Sequence, residues 1–357
     1  MGTYRYYRSY SLDVLKIIAT VFILFHHFQQ ITGVRFSRIN FFNGSFYFGW
    51  FVELFFVLSG FFMYRYIDRI KKGVESFQSF ICKRFNRFVP YLTIVTIVYQ
   101  VLAFIYRRIF HDTLFGENCS LWGTIITALG IQDGGCFKNP GINNPTWYIS
   151  VLLLCYVVFY ILTRISLKYQ INEQYMFFAV ILVGAATVSY NIEFPFLNSS
   201  SARGYYAFFT GLLLAIHMEK TNHLKTIQCA SAVIILLMSY PIFSNCFTQS
   251  YNDTRFILSF IYFPALVIVF DSKIMQEILN HRMLGVLANI SFHTYIWHLP
   301  VLILLFLGKF DIVWNLHGVF AMVFYAVGCF VVGAISYFGL EGPIQKWLTR
   351  SVSRPKL

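Results

Sequence analysis

Apolar blocks of about the length that crosses a bilayer recur along the whole of this 357-residue chain, separated by short polar stretches. An α-helix needs roughly 20 mainly apolar residues to span the hydrocarbon. The sequence therefore predicts an all-α, polytopic transmembrane helical bundle of about ten helices. The expected spans are 12–31, 46–66, 88–107, 146–164, 174–191, 203–219, 226–243, 254–271, 285–306 and 317–338. No soluble domain, low-complexity linker or helical repeat of fixed period interrupts them, so residues 1–357 read as one integral membrane domain. The first span is not followed by a small-residue cleavage site and reads as a retained helix, not a signal peptide.

Composition closes off the soluble alternatives. Hydrophobic residues make up 57% of the chain, charged residues 12%, and the mean hydropathy is +0.61. A soluble surface needs far more charge than that. The formal net charge of +13 would suggest nucleic-acid binding in a soluble protein. Here Lys and Arg concentrate on alternate connections, including Arg65 to Arg87, Arg164 and Lys168, and Lys346 to Lys356, as the positive-inside rule describes. Topology and contact with anionic lipid account for most of the charge, and no nucleic-acid partner is expected. This places both termini in the cytoplasm of a multi-pass protein of the cell (plasma or inner) membrane. The seven cysteines have no metal-like spacing, and no metal is expected. Cys119 and Cys136 fall in one external loop, about Arg108 to Pro145, and a disulfide between them would require an oxidising compartment.

The first span is also the most polar. LDVLKIIATVFILFHHFQQ carries Asp13, Lys16, His26 and His27. Lys16 and His27 are eleven residues apart, which returns to nearly the same helix face with about 16 Å of rise. Ionisable groups inside a membrane normally face the bundle interior or a wet cavity and mark function. Snorkelling of Lys16 at one interface, with the histidines at the other, is the competing account.

Glu53 in the second span reaches the depth of His27 if the first two spans form a hairpin. An imidazole oriented by a carboxylate suits a general base, while a protonated, packing carboxyl or another partner is equally open for Glu53. The small pair Ser59 and Gly60 reads as a close helix approach. On the cytoplasmic side, CKRFNRFVP places Arg84 and Arg87 one turn apart, where two guanidinium groups on one face suit a phosphate. Lys16 belongs to the same level, and membrane anchoring explains Lys83 well.

Set in order, LDVLKIIATVFILFHH, ELFFVLSGFF, KRFNRFVP, NPTWYIS, SFHTYIWHLP and FGLEGPIQKW resemble the successive signatures of the acyltransferase-3 family of integral membrane acyltransferases. The resemblance runs from the first helix to the last. It implies ten core helices, acetyl-CoA or another short acyl-CoA as cytoplasmic donor, and transfer of the acyl group to a hydroxyl of a cell-surface or lipid-linked glycan. The family's basic-x10-His motif falls on Lys16 and His27, with His27 as the catalytic histidine. Its Arg-x-x-Arg motif falls on Arg84 and Arg87, implicated in handling the donor. Two positions depart from the pattern: Lys16 stands where Arg is usual and lacks its bidentate fork, and Leu152 stands where many members carry an acid.

Trp147, Tyr295 and His298 complete the expected substrate-binding set, although an interfacial aromatic belt accounts for most such tryptophans and a Pro-distorted turn for a buried histidine like His298. His26 lies 100° off the stripe, and Glu341 is expected to pair with a basic loop. On this reading His27, oriented by Glu53, either deprotonates the acceptor hydroxyl or carries the acyl group itself. A transporter or flippase of an anionic or lipid-linked glycan is the alternative from another class. The acceptor's identity, the acyl group and any homo-oligomer are outside what the sequence specifies.

Overall fold

The computed structural model describes residues 9–113, 120–137, 142–221, 224–244, 246, 251–310 and 317–346. Within them the chain is helical, with one isolated bridge between Phe194 and Leu197 and no strand among the described residues. The helices are α1 (Tyr10–Thr32), α2 (Phe51–Lys71), α3 (Phe77–Phe110), α4 (Leu121–Ala128), α5 (Trp147–Tyr169), α6 (Glu173–Ser189), α7 (Ser199–Lys220) and α8 (Leu224–Phe243). They continue as α9 (Tyr251–Ile257), α10 (Phe263–Phe270), α11 (Lys273–Ile278), α12 (Arg282–Leu307) and α13 (Gly318–Ser336). Five π-helical residues, Leu258–Tyr262, join α9 to α10, and five more, Tyr337–Glu341, extend α13.

Helices occupy all ten expected positions, and eight of the described helical stretches are long and apolar enough to cross a membrane. The two that fall short do so for different reasons. Helix α6 has 17 residues, about 26 Å of rise. Helix α7 is long enough, at 22 residues, but opens with Ser199, Ser200, Ser201 and Arg203 and turns much of that polarity inward. The third span begins well before the expected residue 88. Ser76 caps α3, its side chain accepting from Ser79 N at 3.2 Å, and Phe80, Arg84 and Phe88 recur at i, i+4, i+8 on its buried face. That first segment is amphipathic, so its mean hydropathy hides a helix that its periodicity supports.

Two close crossings fix the bundle. Helix α2 packs along α7, where a β-carbon on Gly60 would collide with the Phe208 carbonyl and one on Gly211 with the Val57 carbonyl. The Ser59-Gly60 pair is thus half a packing device, as small residues in membrane helices usually are. Helix α12 packs along α13 and α1, with Gly333 against the Thr294 backbone. Helices α1, α2, α5 and α12 therefore surround a common interior. Cys119 lies outside the described residues, as do the two ends of the chain that bear on its orientation.

Candidate active site

The Lys16 to His27 face of α1 points inward: Thr20 and Ile23, between them on that face, are buried. His27 lies within the packed bundle, although the residue is not fully buried. Its Nδ1 lies 2.9 Å from Gln30 Oε1. A carbonyl oxygen can only accept, so Nδ1 carries the proton and Nε2 presents the basic lone pair. Its ring stacks on His298, with centroids 5.1 Å apart and planes 28° off parallel.

His298 is brought there by α12. Pro300 has no N–H, so the Ile296 carbonyl one turn earlier loses its helical donor; the Asn143 side-chain amide donates to it at 3.4 Å. His298 Nδ1 donates to the Tyr295 carbonyl, which fixes the same tautomer as in His27. Its Nε2 is buried and has no hydrogen-bond partner. Tyr295 is buried, its hydroxyl donating to the Pro145 carbonyl. The expected pairing of Glu53 with His27 does not occur. The Glu53 carboxylate is taken by Arg203, Nε to Oε1 at 2.6 Å and Nη2 to Oε2 at 3.0 Å, with the Tyr206 hydroxyl at 3.5 Å. A bidentate guanidinium is the stronger competitor for a buried carboxylate. The Arg203 guanidinium also lies 4.6 Å from the centroid of the Trp147 ring, so Trp147 belongs to this charged corner. Gln30 and Arg203 escaped the sequence reading. A lone cation at the head of an otherwise apolar helix was the available signal for Arg203.

The basic residues gather at the other end of the stripe, but unequally. Lys16 Nζ pairs with Asp13 Oδ1 at 2.7 Å and sits 4.8 Å over Phe62. Arg84 is buried between aromatic faces, 3.8 Å from Phe80 and 4.2 Å from Tyr66, and spends its donors on the Phe80 carbonyl and Met63 Sδ. Arg87 is exposed, with no ion-pair partner among the described residues. The two arginines therefore do not grip one anion as an equivalent pair. Lys83 is held by Glu75 at 2.8 Å.

Helix α2 joins the two ends. From Phe55 to Phe62 it is buried except at Phe55, Ser59 and Phe62, which with Tyr66 form one helix stripe at i, i+4, i+7, i+11. Phe55 meets Tyr148 and Tyr295, Ser59 Oγ lies 3.4 Å from the Tyr148 hydroxyl, Phe62 underlies Lys16, and Tyr66 underlies Arg84. This stripe rises about 16 Å between the basic end and the histidines.

Two other histidines have separate tasks. His26 Nδ1 bonds the Phe41 carbonyl at 2.8 Å and anchors the loop after α1. His293 lies with Nε2 3.6 Å from Glu341, which therefore faces a histidine where a basic loop was expected. Leu152, in place of an acid, is a core residue at 2% exposure. No group of metal-ligating side chains occurs among the described residues.

This polytopic helical protein therefore has two imidazoles at one end of a half-buried α2 stripe and cations at the other. The family model for the acyltransferase domain matches residues 9–338, essentially the whole chain, and the protein belongs to this acyltransferase-3 family. No curated protein and no solved structure matches it significantly.

Proposed function

We propose that the protein transfers a short acyl group, acetyl before others, from acyl-CoA entering at the Lys16 and Arg87 end to a hydroxyl of a cell-surface or lipid-linked glycan arriving at His27 from the opposite side. The α2 stripe carries this reading. It is a largely aromatic track from cations suited to phosphates to an imidazole suited to base catalysis, along which a pantetheine arm can lie. Arg87, exposed and without an ion-pair partner, is the better phosphate contact; Arg84 shapes the entrance, and Lys16 adds charge there. His27 Nε2 takes the hydroxyl proton as the oxygen attacks the acyl carbon, and Gln30 Oε1 holds the resulting imidazolium through Nδ1–H. Trp147, Tyr295 and the Arg203–Glu53 pair shape the acceptor side. On this reading the chain lies in the cell membrane with both termini cytoplasmic.

The test is transfer of labelled acetyl from acetyl-CoA into the glycan fraction of membranes, comparing wild type with His27→Ala at matched expression. Loss of a general base lowers turnover by about 10²–10⁴-fold. Equal labelling by the two proteins overturns the role of His27.

A further inference from the structure

Two neutral imidazoles side by side exceed what one proton transfer requires, and they differ in a way that assigns separate tasks. His27 retains exposed surface. His298 is 0% exposed, its Nδ1–H is committed to the Tyr295 carbonyl, and its Nε2 is a buried acceptor without a partner. Leaving such an atom unpaired costs about 1–3 kcal/mol. A buried polar atom of this kind in a native site calls for an explanation, and a catalytic role is one of the few available. Because its proton sits on Nδ1, His298 Nε2 does not donate to an oxyanion; its lone pair is available as acceptor, base or nucleophile.

Resting on the acyltransferase reading above, we propose that His298 is the acyl-accepting nucleophile and His27 the base that activates the acceptor. The His298 Nε2 lone pair attacks the thioester carbon, the C–S bond breaks, and CoA departs as thiolate, leaving an Nε2-acyl imidazolium. His27 Nε2 then removes the acceptor hydroxyl proton as its oxygen attacks the same carbon. The N–C bond breaks, His298 returns to its neutral form, and the His27 proton passes to the CoA thiolate. The two rings stack with centroids 5.1 Å apart, so a nucleophile and a base stand on neighbouring imidazoles. Burial decides which ring does which. An acyl imidazolium is lost to water wherever water reaches it, so it belongs on the dry ring, while the residue with exposed surface meets the polar acceptor.

The amide of Asn can occupy the place of imidazole Nδ1, so His298→Asn keeps the bond to Tyr295 and removes only the Nε2 lone pair. The experiment incubates the full-length protein in nanodiscs with acetyl-CoA and labelled CoA, without acceptor, and follows label entering acetyl-CoA. Wild type is expected to exchange, His27→Ala to exchange within a few-fold of it while failing to transfer, and His298→Asn to lose exchange at least about 10²-fold at unchanged melting temperature. If His298→Asn fails to fold, rapid quench of wild type and peptide mapping place the acyl group on the segment holding His298 or the one holding His27. Exchange at the wild-type rate by His298→Asn, or an acyl group on His27, overturns the assignment. Transfer by wild type with no exchange also overturns it but leaves the acyltransferase reading standing. Neither transfer nor exchange with any short acyl-CoA sinks both.

Discussion

Arg203 holds both carboxylate oxygens of Glu53, at 2.6 and 3.0 Å, across 150 residues of sequence. Glu53 is 0% exposed, so removing Arg203 strands a buried charge. Arg203→Met is expected to destabilise the protein by about 3–5 kcal/mol, and the charge-free double variant with Glu53→Gln to recover much of that loss. Thermal unfolding in detergent of the two singles and the double checks this; additive losses would show that the pair is not coupled.

The α2–α7 crossing has no room for a methyl group on either side. Gly60→Ala and Gly211→Ala should each cost about 1–3 kcal/mol through forced separation of the helices. At Gly328 an added β-carbon meets only Val301, at 3.9 Å, so Gly328→Ala serves as the tolerated control in the same melting assay.

Arg84 and Arg87 should separate by phenotype. Arg87→Ala is expected to raise the acyl-CoA KM about ten- to a hundredfold, the worth of a charge-assisted hydrogen bond, at unchanged melting temperature. Arg84→Ala should lower the melting temperature, because the guanidinium fills the gap between Phe80 and Tyr66. Matching phenotypes for the two would restore the equivalent pair.

Gln30 orients His27, so Gln30→Ala should lower turnover by up to about tenfold, one ordinary hydrogen bond, with the donor KM unmoved. A change confined to KM would place Gln30 in binding instead.

Glu75 lies between α2 and α3 at 1% exposure, wrapped by its own partners at the bundle's edge. Burial pushes its carboxyl up; hydrogen bonds from Lys83 and Ser79 and the charges of Lys83 and Arg69 more than reverse this, so it titrates below its ordinary value. A carboxyl depressed by folding stabilises above its unfolded pKa of about 4.3 and ceases to as pH falls through the folded value. The gap in melting temperature between wild type and Glu75→Gln should therefore be full at neutral pH and close on acidification. A gap that widens in acid contradicts the assignment.

The ten helix positions and the inward face of α1 were legible because length and periodicity are local properties. So was the placing of Lys16 and His27 at opposite ends of one stripe. The start of α3 was not, since Arg84, Arg87 and Lys83 lower the hydropathy of a segment whose buried face is regular. Partner choice was the larger gap. Glu53 and His27 do share a depth, but which cation or imidazole a carboxylate meets depends on how α7 leans on α2, and Gly60 and Gly211 decide that from two distant stretches. His298 was visible as a histidine beside a proline. Its place against His27 follows from α12 packing on α1, which no spacing records.

The dryness of His298 has a consequence beyond chemistry. A membrane that stores energy as a voltage cannot tolerate a wet path from one face to the other, and the α2 stripe leads most of the way. The buried His298 ring at its head and the Tyr295 hydroxyl tied to Pro145 close that end of the stripe. Variants that open this plug should discharge the membrane potential, a readout separate from acyl transfer.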